Sequence, residues 1–360
     1  MENQPYDQEK AEAFADNLLS TFNSAASTLM ISLGHRTGIF DIMQDMPPST
    51  SAEIAKAASL NERYVREWLN ALVTSHIIIY DKDRATYKLP LEHAAFLTRQ
   101  SSPNNMAVIA QFIPVLAYVE NEIVQAFKEG GGVPYEAYNR FHEVMSEESG
   151  QTVVSSLLDS ILPLVDGLIE RLESGITVLD IGCGYGKAIN MMAEKFVNST
   201  FYGYDICPET IEKAQMEAES KEISNVFFQR QDLAQWQDEE KFDFITAFDV
   251  IHDQAHPEVV LKNVYHALKA NGVFLAQDIK TSTFVENNID HILGPLIYTI
   301  SCMHCMTVSL AQNGAGLGAA WGEELAEEMF KKAGFKSIEK CYLKHDIVNT
   351  YYILKKNNIR

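Results

Sequence analysis

The sequence predicts an α/β protein, an open and mostly parallel sheet preceded by a smaller helical domain. Three observations predict it. A short apolar run, Val178-Leu179-Asp180-Ile181, ends in glycines at every second position, Gly182, Gly184 and Gly186. A second apolar run, Phe201-Tyr202-Gly203-Tyr204, ends in Asp205, nineteen residues beyond Gly186. From residue 177 onward, strand-like and helix-like segments alternate, which is the pattern of strands covered by helices on both faces.

Taken in order, residues 1–34 read as helix, with Ala11, Phe14, Leu18 and Phe22 at spacings of three and four. Ser49–Ala55 starts a helix with a capping-box pattern. A second helix, about 62–75, carries Tyr64, Trp68, Leu69 and Leu72. Residues 77–80 and 87–89 flank a polar turn as a short hairpin. Helix, turn, helix and hairpin make a winged helix over 1–100. Residues 101–150 form a helical, aromatic connector with Phe112, Tyr118, Phe127, Tyr135, Tyr138 and Phe141, interrupted by Gly130-Gly131-Gly132. Residues 151–173 read as one amphipathic helix leading into a third region, 151–360.

In that region the strands are expected at 177–181, 200–204, 225–229, 242–248 and 272–277, with helices at 187–196, 208–221 and 257–269. Glu323–Ala333 is a further helix capped by Gly334. Strands at 337–343 and 350–355 form an antiparallel edge, giving a Rossmann-like sheet of seven strands. The segment 281–322 is long and apolar, as expected of an ordered pocket roof.

Composition narrows the function. The formal charge of −20 repels phosphate backbones, so nucleic acid is not an expected partner. The second winged-helix helix balances two arginines with two glutamates and offers no basic face. The start, Met1 to Lys10, is polar and does not read as a signal peptide, and no run of about 18 apolar residues is expected to span a membrane. Five cysteines fit reduced thiols in a cytoplasm.

A glycine turn after one strand and an acid ending the next hold a ribose-bearing cofactor. The spacing G-x-G-x-G differs from the G-x-G-x-x-G of nicotinamide dinucleotide sites, and Asp232-Leu233 follows the third strand. The ordered series Asp180-x-Gly182-x-Gly184-x-Gly186, Asp205, Asp232 and Asp249 resembles class I S-adenosylmethionine-dependent methyltransferases. With the winged helix and connector, the layout is similar to small-molecule O-methyltransferases. The run Gly294–Met306 and the segment Gly314–Glu324 resemble a bacterial branch of them.

The resemblance implies S-adenosyl-L-methionine as cofactor, a small-molecule acceptor methylated on O or S, or on N, and a homodimer. It implies that Asp180, Gly182, Cys183, Gly184, Asp205, Ile206, Asp232, Leu233, Phe248 and Asp249 bind the cofactor. Asp205 would bond the ribose hydroxyls, and Asp232-Leu233 would hold the adenine. His252 matches the position of the family's general base, and Asp278 the acid that orients it. The family commonly has Trp where this chain has Gln254.

His291, Met303, His304 and Trp321 are expected to face the acceptor. Cys302-Met303-His304-Cys305 looks like half of a metal site, but no second cysteine pair exists and on a helix only Cys302 and Cys305 share a face, so no metal is expected. Asn313–Gly322, with Trp321, reads as a flexible lid. A nicotinamide-dependent oxidoreductase and a cofactor-sensing winged-helix regulator are the alternatives.

Overall fold

The computed structural model describes residues 6–357, and the chain divides into two compact units, residues 1–114 and 115–360. The expected connector, 101–150, is divided between them. The expectation about a signal peptide covers residues 1–10, of which the first five lie outside the described residues.

In the first unit, α1 (Gln8–Thr37) begins on the Asp7 side chain and ends at Gly38 in the left-handed region (φ 71°). After α2 (Ile39–Asp45), α3 (Ser51–Ala58) starts on a complete capping box, Thr50 with Glu53. Then follow α4 (Glu62–Thr74), the antiparallel hairpin β1 (Ile79–Asp81) and β2 (Thr86–Lys88), and α5 (Leu91–Leu97). Their apolar faces close on Phe40, Trp68, Leu69 and Leu72. This is the expected winged helix. Both arginines of α4 are paired along the helix, Arg63 with Glu67 and Arg66 with Glu62. They therefore form no unpaired basic stripe.

The second unit is built on seven strands: β3 (Thr177–Ile181), β4 (Thr200–Asp205), β5 (Val226–Arg230), β6 (Phe242–Phe248), β7 (Leu268–Ile279), β8 (Ser337–Cys341) and β9 (Asn349–Lys355). Their order is β5-β4-β3-β6-β7-β9-β8, with β9 antiparallel to both β7 and β8. The chain runs outward from β3 through β4 and β5, then returns to β6 on the other side of β3. The carboxyl ends of β3 and β6 thus flank the crevice where such sheets bind ligands. Two apolar layers, one around Trp236, Phe274 and Phe330 and one around Phe196, Phe201 and Phe244, cover the sheet.

Three expectations are corrected. Residues 151–173 are not one helix. A helix ends at Thr152, 3-10 and π turns follow, and Leu168–Ser174 is a separate short helix. Pro163 removes an amide donor, and Gly167 turns the chain at φ 69°. β7 starts at Leu268 rather than 272, because Leu268 pairs with Phe242 ahead of a register shift. The third concerns apolar length. Gly294–Ala311 is 18 residues long with a mean hydropathy of 1.2, enough by length and composition to cross a membrane. Here Ile297, His304, Cys305, Thr307 and Val308 on it are buried in the fold.

Candidate active site

The glycine turn after β3 takes its shape from three left-handed residues, Gly182 (φ 61°), Gly184 (φ 54°) and Gly186 (φ 71°). A Cβ on Gly182 would stand 2.6 Å from Val250, whereas one on Gly184 would meet nothing within 4 Å. Gly182 therefore serves packing, and Gly184 exposes bare backbone to open space.

Asp205 braces the turn. Its Oδ2 accepts from the Gly184 amide at 2.9 Å, and its Oδ1 from the Cys207 amide at 2.9 Å. A carboxylate has about four lone-pair sites, so each oxygen keeps one for a ligand hydroxyl. Ile206 beside it is exposed and Cys183 is half-buried, with burial and Asp205 pushing its thiol upward. Asp232 is occupied by its own turn, accepting from the Ala234 amide and Gln235 Nε2. Leu233 is buried in the layer around Trp236 and Phe274, and Phe248 is half-buried against the other layer, around Phe201 and Phe244.

Asp180 is buried, accepts from Thr246 Oγ1 at 2.7 Å, and is pushed up to about 7, chiefly by burial. Asp249 closes β6 in the left-handed region at φ 55°, a conformation that costs a non-glycine residue about 1–3 kcal/mol and concentrates at functional sites. Burial first and Asp278 second push it up to about 7. Glu148 rises to about 8 through burial and the nearby charges of Asp249 and Asp346. Three carboxyls with weakened acidity therefore flank this end of the sheet.

One turn beyond β6 stands His252, 3% exposed. Its Nδ1–H donates to Asp278 Oδ1 at 2.7 Å, and the same oxygen accepts the Ile279 amide. Nε2 lies 3.2 Å from Asp253 Oδ1. Burial alone would lower this imidazole, but Asp278 and Asp253 together raise it well above its usual range. Asp253 goes the other way: burial would raise it, yet His252 holds it down at about 2.

His304 is fully buried and joins this cluster. Its Nδ1 is 3.9 Å from Asp253 Oδ2, too long for a hydrogen bond, and both ring nitrogens lack a hydrogen-bond partner among the described residues. Its ring stacks on Phe141 (centroids 3.5 Å, 11°) and meets Tyr138 and Tyr135 edge-on. Burial pushes it down to about 4. Tyr135 Oη donates to Asp253 Oδ2 at 3.2 Å, and Tyr138 Oη to the Met303 carbonyl.

The other expected acceptor residues are dispersed. Trp321 is buried in the core against Phe330, and His291 accepts the Leu293 amide on its Nδ1 in a local turn. Ser301–Cys305 is a π turn, so the α-helical expectation that Cys302 and Cys305 share a face is corrected. Cys305 is buried, and Cys302 lines a cleft of about 550 Å³ with Ile123, Phe127, Met306 and Leu310.

The sequence reading missed Asp253, Tyr135 and Glu148. The signal for Asp253 was adjacency to His252. For Tyr135 it was a spacing of three through Tyr138 to Phe141. Glu148 gave none.

Comparison with known proteins bears on the domains and the fold. A family model described as a methyltransferase domain matches residues 172–338, and one described as an Rv2258c-like winged HTH domain matches residues 25–99. (S)-coclaurine N-methyltransferase of Papaver somniferum is 27% identical over 167 residues, covering 43% of this chain and 48% of the relative. Malonyl-[acyl-carrier protein] O-methyltransferase of Paenibacillus sp. is 24% identical over 130 residues, covering 34% and 47%. The chain thus spans about half the length of these curated relatives.

Among solved structures, human N-acetylserotonin methyltransferase in complex with SAM superposes with a TM-score of 0.68 at 17% identity, over 99% of this chain and 100% of that one. The mitomycin 7-O-methyltransferase gives 0.72 at 14% identity, over 97% and 100%. At these identities the structures speak for the fold. The two family matches give the chain a methyltransferase domain preceded by an N-terminal winged-helix domain.

Proposed function

We propose that the chain moves the methyl group of S-adenosylmethionine to an oxygen or sulfur, or to a nitrogen, of a small-molecule acceptor, with His252 as general base. The observation that carries this reading is the buried His252–Asp278 dyad at 2.7 Å, at the carboxyl end of the sheet. Relatives and neighbours named for coclaurine, N-acetylserotonin and mitomycin support a small acceptor and divide over its atom.

In this reading the turn at Gly184 lies along the methionine part of the cofactor, and Asp205 takes the two ribose hydroxyls. The methyl carbon breaks from sulfur as it bonds to the acceptor. The acceptor proton passes to Nε2 of His252, while Asp278 holds Nδ1. In the resting site two carboxylates keep His252 charged. Beside a bound sulfonium that charge would be disfavoured, so His252 would give its Nε2 proton to solvent and then be free to receive the acceptor's proton. A labelled-methyl donor with hydroxyl, thiol and amine probes tests the reading. Label on a hydroxyl, thiol or amine probe is expected; hydride exchange with a nicotinamide cofactor and no methyl transfer would refute it.

The acids predict a pH signature. Asp180 faces Asp205; Asp249 faces Asp278, His252 and Gln277; Glu148 faces Asp249 and Asp346. Raised carboxyls are neutral below about 7–8, and a cationic ligand binds best once they ionise. Affinity for S-adenosylmethionine should climb between pH 6 and 8.5 by up to about tenfold per unit per proton released. S-adenosylhomocysteine, lacking the sulfonium, should climb less. Parallel pH curves in calorimetry would contradict this charge reading.

The assembly we infer is a homodimer through α1, whose Phe14 (61%), Leu19 (61%) and Phe22 (62%) are exposed. Leu19→Asp with Phe22→Asp should turn a dimer into a monomer in light scattering. A wild-type monomer would end this inference. The acidic balance and the paired arginines of α4 support a chain that works without nucleic acid.

A further inference from the structure

We propose that His304 is a proton relay for His252, with Asp253 between them and His142 and Tyr135 at the outlet. The inference rests on the methyl-transfer reading for its use: a buried base must shed one proton for each acceptor proton it takes. His252 is 3% exposed, and its Nδ1 is committed to Asp278. Its Nε2 faces Asp253 Oδ1 at 3.2 Å. The way out of Nε2 therefore begins on that carboxylate.

The next station is in place. Asp253 Oδ2 lies 3.9 Å from His304 Nδ1. A closure of about 1 Å turns that separation into a charge-assisted hydrogen bond. His304 is fully buried, and neither of its ring nitrogens has a hydrogen-bond partner among the described residues. Leaving buried polar atoms unpaired costs about 1–3 kcal/mol each, so an apolar ring would pack there at lower cost. A relay, by contrast, requires an imidazole: one nitrogen takes a proton while the other gives one. The ring lies flat against Phe141 (centroids 3.5 Å, 11°) and edge-on to Tyr138, which fixes the direction of its nitrogens. Tyr135 Oη donates to Asp253 Oδ2 at 3.2 Å and holds the carboxylate. The Tyr135 ring stands 5.4 Å from that of His304 and 6.0 Å from that of His142. Tyr135 and His142 are both half-buried, so the path meets water there.

The charged groups facing His304 are Asp253, His142 and His252. Burial first, then the two histidines, hold it down at about 4 against the pull of Asp253, which itself stands at about 2. Neither station therefore keeps a proton. In each pass the Nε2–H bond of His252 breaks and Asp253 carries the proton to Nδ1 of His304. The resulting imidazolium gives a proton to water beside His142. One proton moves, no electrons are exchanged, and His252 Nε2 recovers its lone pair.

The test needs no methyl acceptor. The full chain is labelled with 15N-histidine, and the His252 ring signals are identified by their loss in His252→Ala. Exchange of the Nε2 proton with solvent, read by saturation transfer from water, should slow about 10²-fold in His304→Phe and in His304→Gln. The Nδ1 proton held by Asp278 should keep its chemical shift in both. Tyr138→Phe, which removes only a bond to the Met303 carbonyl, should exchange like wild type. Wild-type exchange in both His304 variants overturns the relay. A displaced Nδ1 shift overturns it too, because it marks His304 as a structural prop of the cluster. S-adenosylhomocysteine titration runs in parallel: cofactor binding with unslowed exchange removes this proposal alone, and slowed exchange without cofactor binding removes the methyltransferase reading alone.

Discussion

Asp205→Ala is expected to abolish measurable cofactor binding. The carboxylate would supply two hydrogen bonds to ribose hydroxyls, each worth about 1.5–3 kcal/mol when one partner is charged. Losing both corresponds to roughly 10²–10⁴ in affinity. A second effect adds to the first. Asp205 also holds the Gly184 and Cys207 amides, so its removal unpins the glycine turn. Asp205→Asn separates the two, since it keeps one acceptor oxygen but sets an amide group against a backbone N–H. It should bind weakly, between wild type and Ala. Calorimetry with S-adenosylhomocysteine is the check, and unchanged affinity in Asp205→Ala would remove Asp205 from the cofactor site.

His252→Ala should leave cofactor affinity within a few-fold of wild type while cutting turnover about 10²–10⁴-fold. The side chain bonds Asp278 and faces Asp253, whereas the glycine turn is held by Asp205, so its loss should leave that turn in place. Asp278→Asn keeps the shape but offers an amide to Nδ1, disfavouring the ring state in which Nδ1 carries the proton. It should lower kcat with KM little changed and shift the pH profile of kcat. A merely structural Asp278 would lower stability without moving that profile. Full turnover in His252→Ala would assign acceptor activation elsewhere in the cluster.

Much of this architecture was legible in the chain. The glycines after β3 and the acids at residues 205, 232 and 249 report the ends of successive strands, because only a few residue types suit those turns. The winged helix was legible through its capping box and helical spacing, local signals that the fold preserves.

What was not legible depends on burial and on distant partners. Nothing local marks Glu148 as raised, since that takes Asp249 and Asp346 from other parts of the chain. The π turn at Ser301–Cys305 leaves Cys305 buried and Cys302 half-buried, and α-helical periodicity cannot foresee it. Trp321 illustrates the opposite failure. A lone aromatic in a glycine-rich segment suggested the lid, but its large apolar surface is satisfied against Phe330 in the core. Asp253 went unweighed because its importance lies in what surrounds it: His252, Tyr135, His304 and Cys305.

The central claim is that the glycine turn and the His252 cluster form one methyl-transfer site. A crystal structure with S-adenosylhomocysteine tests it most directly. Ribose hydroxyls are expected on Asp205, the methionine part along Gly184, and the sulfur directed toward His252. A ligand bound elsewhere, or a sulfur pointing away from His252 with the cluster sealed off behind it, would contradict it.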